Sequence, residues 1–278
     1  MDPRRQDHHD AGRSRHQDRQ HQQHRGGEAA WPPVAGLVLC GGASQRMGSD
    51  KALLVLEGRF MVDRVAARLA TVATPVWLAP GTVGRLGARG LDEVADAAPG
   101  GGPLAGLVAG LEALAGLQAR TGLQARTEAE GRKRPAAHTA PDQVRESQHE
   151  AHEANEAHGD RWRRAAPGSA RAALAVLAVD LVDARPALLA RCAARLAGHD
   201  AVVPLSARGP EPLHAVFAAS ALAPLAARLA QGRRSVIGAL DDLDWEAVPE
   251  RAWRDLDPAG AFARNLNTAE DLRTHPRG

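Results

Sequence analysis

Two stretches of this chain, Val34–Cys40 and Ala172–Val179, carry only apolar residues and one glycine, with no polar residue to mark an outer face. A strand of that kind has to be covered on both sides, which is the situation of a central strand in a sheet flanked by helices. Shorter β-type runs follow the same logic at Pro75–Ala79, Leu91–Val94 and Ala201–Pro204. Between them the periodicity changes to that of helices. Phe60–Val72 has apolar residues at positions 61, 62, 65, 66, 69 and 70, and similar faces recur in Leu104–Leu114, Arg185–Leu196 and Ala219–Ala230. Strands alternating with helices predict an α/β fold in which crossover helices join parallel strands.

Composition narrows the functions this fold could serve. Aromatic residues are 3% of the 278 and tyrosine is absent, so burial rests on Ala, Leu and Val, and the composition argues against a platform for stacking single-stranded bases. The chain uses arginine 33 times and lysine twice, scattered among 33 acidic residues without a basic stripe, which argues against nucleic acid as a partner. Two cysteines, Cys40 and Cys192, make neither a disulfide framework nor zinc-ligand spacing, and a reducing cytoplasm fits them. Residues 1–30 hold six Arg, five His and five acids with no apolar core, unlike a signal peptide or anchor. The longest apolar run, Ala172–Val182, is about half of what a spanning helix needs, so no membrane association is expected.

Two segments differ from the rest. Residues 1–30 read as a disordered tail. Residues 117–170 read as a disordered, low-complexity insertion within a single domain spanning 31–278; it opens on a tandem repeat, Gly116–Thr121 followed at once by Gly122–Thr127, and continues through mixed charge. The two segments contain nine of the twelve histidines, at irregular spacing that favours a solvated tract over a metal site. An insertion there costs little, because loop-closure entropy grows only logarithmically with length.

The chemistry is concentrated after the first strand, in Leu39-Cys-Gly-Gly-Ala-Ser-Gln-Arg-Met-Gly-Ser-Asp-Lys51. Glycines at the carboxyl end of a strand let the backbone approach a ligand, and successive amides can cradle phosphate oxygens there. The spacing is neither that of a Walker loop nor that of the dinucleotide fingerprint. Arg46 and Lys51 add fixed charge; each, at about 4 Å from a phosphate oxygen, gains roughly 4 kcal/mol before desolvation at an effective dielectric near 20. With lysine so rare here, Lys51 points to a compact charge that a guanidinium would not replace.

Leu39-Cys-Gly-Gly, Arg46-Met-Gly and Asp50-Lys51 together resemble the amino-terminal signature of the GT-A-like nucleotidyltransferases, and within them the molybdenum cofactor guanylyltransferase family. The resemblance implies a three-layer α/β/α sandwich with a mostly parallel, Rossmann-like sheet. The family usually has Ala where this chain has Cys40. Asp96 followed by Gly-Pro-Leu-Ala-Gly106 resembles the second nucleotide segment, at a helix start where Pro103 and the preceding glycines suit close approach. Asp180 ends the apolar strand, and the resemblance makes it the Mg²⁺ ligand that meets the nucleotide phosphates; Asp183 is the fallback, since the family's small residue and Pro after this Asp are replaced by Leu181-Val182. Asn265-Leu-Asn267-Thr268 resembles the Asn-x-Asn ending, and Thr268 with Asp271 reads as a capping pair opening a last helix. Pro212–Phe217 resembles the strand flanking the acceptor site, with His214 in it. The family's Asn after the second strand has no counterpart in Val76-Trp-Leu-Ala-Pro-Gly81.

The resemblance therefore implies transfer of GMP from GTP to the phosphate of the molybdopterin cofactor, with loss of pyrophosphate. Arg46, Lys51 and Asp180 would be catalytic; Leu39, Cys40, Gly41, Gly42, Lys51, Asp96 and Asp180 would hold the nucleotide; His214, Asn265 and Asn267 would contact the acceptor. Partners implied are GTP, the molybdenum cofactor, and proteins that deliver it or mature molybdoenzymes. Within the fold the alternative is a cytidylyltransferase for the same cofactor or a sugar- or alditol-phosphate nucleotidyltransferase. Outside it stands a non-catalytic nucleotide-binding regulator or cofactor carrier that docks through residues 117–170.

Overall fold

The computed structural model describes residues 34–41, 50–98, 100–131 and 172–275, with side chains in the long helix described to residue 122 and that of Ala269 outside the description. The chain reads β1 (Val34–Leu39), a hairpin of β2 (Val55–Leu56) and β3 (Arg59–Phe60), α1 (Met61–Leu69), β4 (Val76–Ala79), β5 (Asp92–Glu93) and α2 (Gly102–Gly131). It continues with β6 (Ala173–Ala178), α3 (Pro186–Ala194), β7 (Ala201–Ser206), β8 (Gly209–Pro210), β9 (His214–Ala218), α4 (Leu222–Ala230), α5 (Val236–Ala239), β10 (Trp245–Val248) and α6 (Ala269–Thr274).

The main sheet runs β10-β7-β9-β6-β1-β4-β5, with β8 added to β7. β1 pairs in parallel with both β4 and β6, β5 joins β4 in parallel, and β10 joins β7 in parallel. Only β9, antiparallel to β6 and β7, and β8, antiparallel to β7, break the direction. The α/β expectation holds, and the two all-apolar runs are the adjacent central strands β1 and β6.

Their side chains divide between two cores. Val34 and Val38 of β1 with Ala173, Ala175 and Leu177 of β6 face α1 and α3, joined by Met61, Val62, Leu69, Leu188 and Leu189. Ala35, Leu37 and Leu39 with Leu174 and Val176 face α2 and α4, joined by Leu104, Leu107, Leu111, Leu114 and Leu225. That is why no polar residue interrupts either strand. The hairpin turns on Glu57 at φ 50° and Gly58 at φ 76°, two successive left-handed residues that let two-residue strands pair directly.

Helix α2 differs from expectation in length. It continues past Leu114 through the tandem repeat to Gly131, because Leu, Gln, Ala and Arg are strong helix formers and one glycine per six residues costs only about 1 kcal/mol each. Leu117 packs against the second core. The expected disordered insertion therefore starts with helix over 117–131, and the rest of it lies outside the described residues, as does the tail 1–30. Within α2, Gly102–Gly122 is long and apolar enough by length and composition to cross a membrane, a longer apolar stretch than Ala172–Val182, and half of its apolar window is buried inside the protein. It sits close to β1. A Cβ at Gly106 would lie 2.8 Å from Leu39 Cδ2, and one at Gly110 would lie 2.5 Å from Leu37 Cδ2.

Candidate active site

The carboxyl ends of β1, β4 and β6 lie side by side, and the polar residues that leave them converge. Asp50 accepts from the Ala52 N–H through Oδ1 at 3.0 Å, capping the short 3₁₀ turn Lys51–Leu53. That turn aims Lys51 across the top of the sheet. Its Nζ donates to Asp180 Oδ2 at 3.2 Å and to Asn267 Oδ1 at 2.8 Å. Lys51 and Asp180 side chains are 17% and 18% exposed, so the pair is partly desolvated yet reachable. Backbone reinforces it, since the Leu266 N–H donates to the Asp180 carbonyl at 3.1 Å.

Three predicted residues, far apart in sequence, thus meet at one ammonium. The capping pair predicted at Thr268 and Asp271 is present in full: the Asp271 N–H donates to Thr268 Oγ1, while Asp271 Oδ2 accepts from the Asn267 and Thr268 amides at 2.7 and 2.8 Å. These two N–H donors hold the Asp271 carboxyl below its ordinary range. Asn267 is therefore oriented by the helix start behind it. Asn265 has its side-chain oxygen buried without a partner among the described residues. Asp183, the fallback, is engaged elsewhere, with His275 Nε2 at 3.0 Å and Arg264 at 3.5 Å.

The glycine-rich segment between β1 and Lys51 is described only at its two ends. The Cys40 and Gly41 amides both donate to the Ala79 carbonyl at 3.0 Å, Leu39 O accepts from the Val179 N–H at 3.0 Å, and Cys40 O accepts from Arg85 at 2.9 Å. Those two amides are committed to the sheet and are not available to cradle phosphate. Gly42 and Arg46 lie outside the described residues. The Cys40 thiol is buried, points at the Val38 carbonyl, and is pushed up to about 12 by desolvation, which keeps it protonated and unreactive.

Asp96 stands beside this strand end. Its Oδ2 lies 3.6 Å from where a Cβ on Gly81 would be, and its Oδ1 3.6 Å from the same position on Gly106. Burial raises the carboxyl above its ordinary value, and the nearby Arg85 charge partly opposes that. No donor among the described residues meets it.

His214 corrects an expectation. It is 0% exposed, its Nε2 accepts from the Arg185 N–H at 3.2 Å, and its ring packs edge-on against Phe262 at 5.1 Å. Desolvation pushes it down to about 4, so it is neutral and sealed in the core beneath the turn after Asp180. It cannot touch an acceptor from there. Arg85, which sequence reasoning passed over, turns out to sit at the heart of the strand ends. One arginine among 33 carries no signal by itself.

A group of three or more His, Cys, Asp or Glu suited to a metal is absent among the described residues. The donor set fits a Mg²⁺ ion held by a single protein carboxylate and completed by substrate phosphates: Lys51 occupies Asp180 Oδ2, and Asp180 Oδ1 has no partner among the described residues.

Comparison with known proteins bears on this geometry. The family described as "MobA-like NTP transferase domain" matches residues 36–244. A protein of Chloroflexus aggregans named "Probable molybdenum cofactor guanylyltransferase" is 28% identical over 253 residues, covering 86% of this chain and 92% of that protein. One of the same name in Deinococcus radiodurans is 43% identical over 79 residues, 28% of this chain; the match spans 40% of that relative's length. Among solved structures, molybdopterin-guanine dinucleotide biosynthesis protein A of Archaeoglobus fulgidus superposes with a TM-score of 0.59 at 21% identity, covering 86% and 95% of the two chains. At that identity the likeness concerns the fold.

Proposed function

We propose that this chain, which belongs to the MobA-like NTP transferase family, is a guanylyltransferase that moves GMP from GTP onto the phosphate of the molybdopterin cofactor. The observation that carries the reading is the convergence of Lys51, Asp180 and Asn267 at the carboxyl ends of the central strands.

In the reaction an oxygen of the pterin's terminal phosphate bonds to the α-phosphorus of GTP, and the bond from that phosphorus to the bridging oxygen of pyrophosphate breaks. No covalent enzyme intermediate is needed, so the protein works by position and charge. An ammonium has three donors. Two of those on Lys51 are spent on Asp180 and Asn267, which fix its direction, and the third is left for a phosphate oxygen. Asp180, with one oxygen on Lys51, would hold Mg²⁺ on the other; the ion supplies Lewis-acid charge stabilisation to the phosphates. Asp96 would accept from the nucleoside, and this gain would offset the desolvation that now raises its carboxyl. Arg46 would add a second positive charge on the phosphates. Helix α2 is accounted for by the sheet it covers, and we place the enzyme in the cytoplasm with its substrates.

The test is pyrophosphate release by purified protein with Mg²⁺ and each of GTP, CTP, ATP and UTP, with and without molybdenum-loaded pterin cofactor. Release that requires GTP and cofactor together is the expected result. Release with CTP in place of GTP would move the reading to the cytidylyl transfer considered above, and absence of release with all four would refute nucleotidyl transfer to this acceptor.

A further inference from the structure

Arg85 ties the turn that carries Lys51 to strand ends that the sheet already holds together. It lies in the turn after β4, where Gly81 at φ 84° and Gly84 at φ 80° bend the chain back toward the strand ends. That turn is pinned to β5, since the Gly84 N–H donates to the Glu93 carboxylate, and it closes on itself through Arg85 N–H to Thr82 O at 3.2 Å. The guanidinium then spends each of its three nitrogens on a different acceptor. Nε donates to Pro80 O at 2.9 Å, Nη2 donates to Cys40 O at 2.9 Å, and Nη1 pairs with the Asp50 carboxylate. Cys40 and Asp50 bracket the glycine-rich nucleotide segment. Asp50 is also the residue whose other oxygen caps the turn carrying Lys51.

We propose that Arg85 is a positioning residue for nucleotidyl transfer: by tying Asp50 to the sheet-held ends of β1 and β4, it fixes the turn that carries Lys51 and with it the direction of Lys51. The inference rests on the function proposed above for its kinetic readout, but not for its structural one. Arg85 acts through Asp50, because its own nitrogens are already committed to protein acceptors. A planar fork can satisfy three acceptors lying in different directions; a lysine ammonium on a single-point tether cannot reproduce that spread. Without Arg85 the Asp50 carboxylate loses its tether, its cap on the Ala52 N–H loosens, and the aim of Lys51 is freed with it.

The experiment compares the full-length wild type with Arg85→Ala, Arg85→Lys and Asp50→Asn. Pyrophosphate release is measured against GTP concentration, with and without added guanidinium at millimolar concentration. Hydrogen exchange is followed at the amides of Ala52 and Leu53, and at those of the β6 core as an internal reference. We expect Arg85→Ala to raise the KM for GTP at least about tenfold, as loss of hydrogen bonds to a charged group does, with a smaller change in kcat. Arg85→Lys should fail to restore it, and added guanidinium should recover part of the loss in Arg85→Ala alone. Exchange at Ala52 and Leu53 should quicken in Arg85→Ala and Asp50→Asn while β6 stays protected. Wild-type KM and unchanged exchange in Arg85→Ala would overturn the proposal, as would full recovery by Arg85→Lys or loss of β6 protection to the same degree as the turn. If the wild type itself turns over no nucleotide, the transferase reading has failed, and the exchange comparison alone still decides whether Arg85 holds the turn.

Discussion

Two polar clusters stand on neighbouring strands at the same end of the sheet and are built in opposite ways. Lys51, Asp180 and Asn267 gather beyond the end of β6, partly exposed, with an ammonium donor and a carboxylate oxygen left uncommitted among the described residues. His214 opens β9, opposite Leu177 of β6, and is enclosed. Around it Arg185 gives its backbone N–H to the imidazole and its guanidinium to Asp257, and the 0%-exposed Asp257 accepts from the Phe262 N–H at 2.7 Å. Both clusters contain residues that could serve chemistry. The difference lies in access: the first keeps unmet donors and acceptors where solvent reaches, while the second holds the turns after β6 and before α6 and leaves His214 Nδ1, Arg185 Nε and Asp257 Oδ1 without a hydrogen bond in a sealed interior. A polar residue near a site can serve a ligand when it has something left to offer and the ligand can reach it.

That contrast can be broken from either side. The largest effect belongs to the open cluster. Lys51→Ala and Asp180→Ala should each lower the transfer rate by about 10²–10³-fold, the usual cost of removing a group aimed at developing phosphate charge. Their unfolding free energies should stay within about 1 kcal/mol of wild type, because a partly exposed pair contributes little to stability. Steady-state rates with denaturant melts of the same samples separate the two quantities, and a large loss of stability would place this pair with the structural cluster.

The sealed cluster should show the reverse. His214 is held near 4 in the folded state against about 6.5 unfolded, so between those values the unfolded chain binds the extra proton and stability rises with pH. The contribution is complete above about pH 6.5 and is lost as pH falls toward 4, by roughly 3 kcal/mol in all. Urea melts across that window should show the slope, and His214→Gln should flatten it without changing the transfer rate at neutral pH.

Smaller effects sharpen the boundary between the clusters. Asn267→Ala removes one of two acceptors from Lys51 and should cost about fivefold in rate, close to one ordinary hydrogen bond, measurable as a rise in KM for GTP. Thr268→Ala, which breaks the capping box behind Asn267, should cost about 0.5 kcal/mol in a thermal melt, since α6 is short and exposed.

Much of this was readable beforehand, and the parts that were not have physical causes. Lys51 stood out as one of two lysines after a glycine-rich strand end, Asp180 as the first carboxylate after an all-apolar strand, and Thr268 with Asp271 as a cap. His214 misled because its burial depends on Phe262 and Arg185, neither near it in sequence. Arg85 was silent because its role is set by three acceptors on separate segments. The helical tandem repeat misled through its sparse apolar content, although its residues favour helix and Leu117 reaches the core. The edge strand Trp245–Val248 had a mixed pattern because only Val248 of its four residues is buried.

The close seat of α2 on β1 bears on how this chain tolerates change. Gly106 and Gly110 sit where any side chain would strike Leu39 or Leu37, so the two glycines act as a key in a slot and the helix cannot slide along the strand. Its first turn, next to Asp96, is thereby held in place. An alanine at either glycine would wedge the helix off the strand and carry that first turn away from the strand ends.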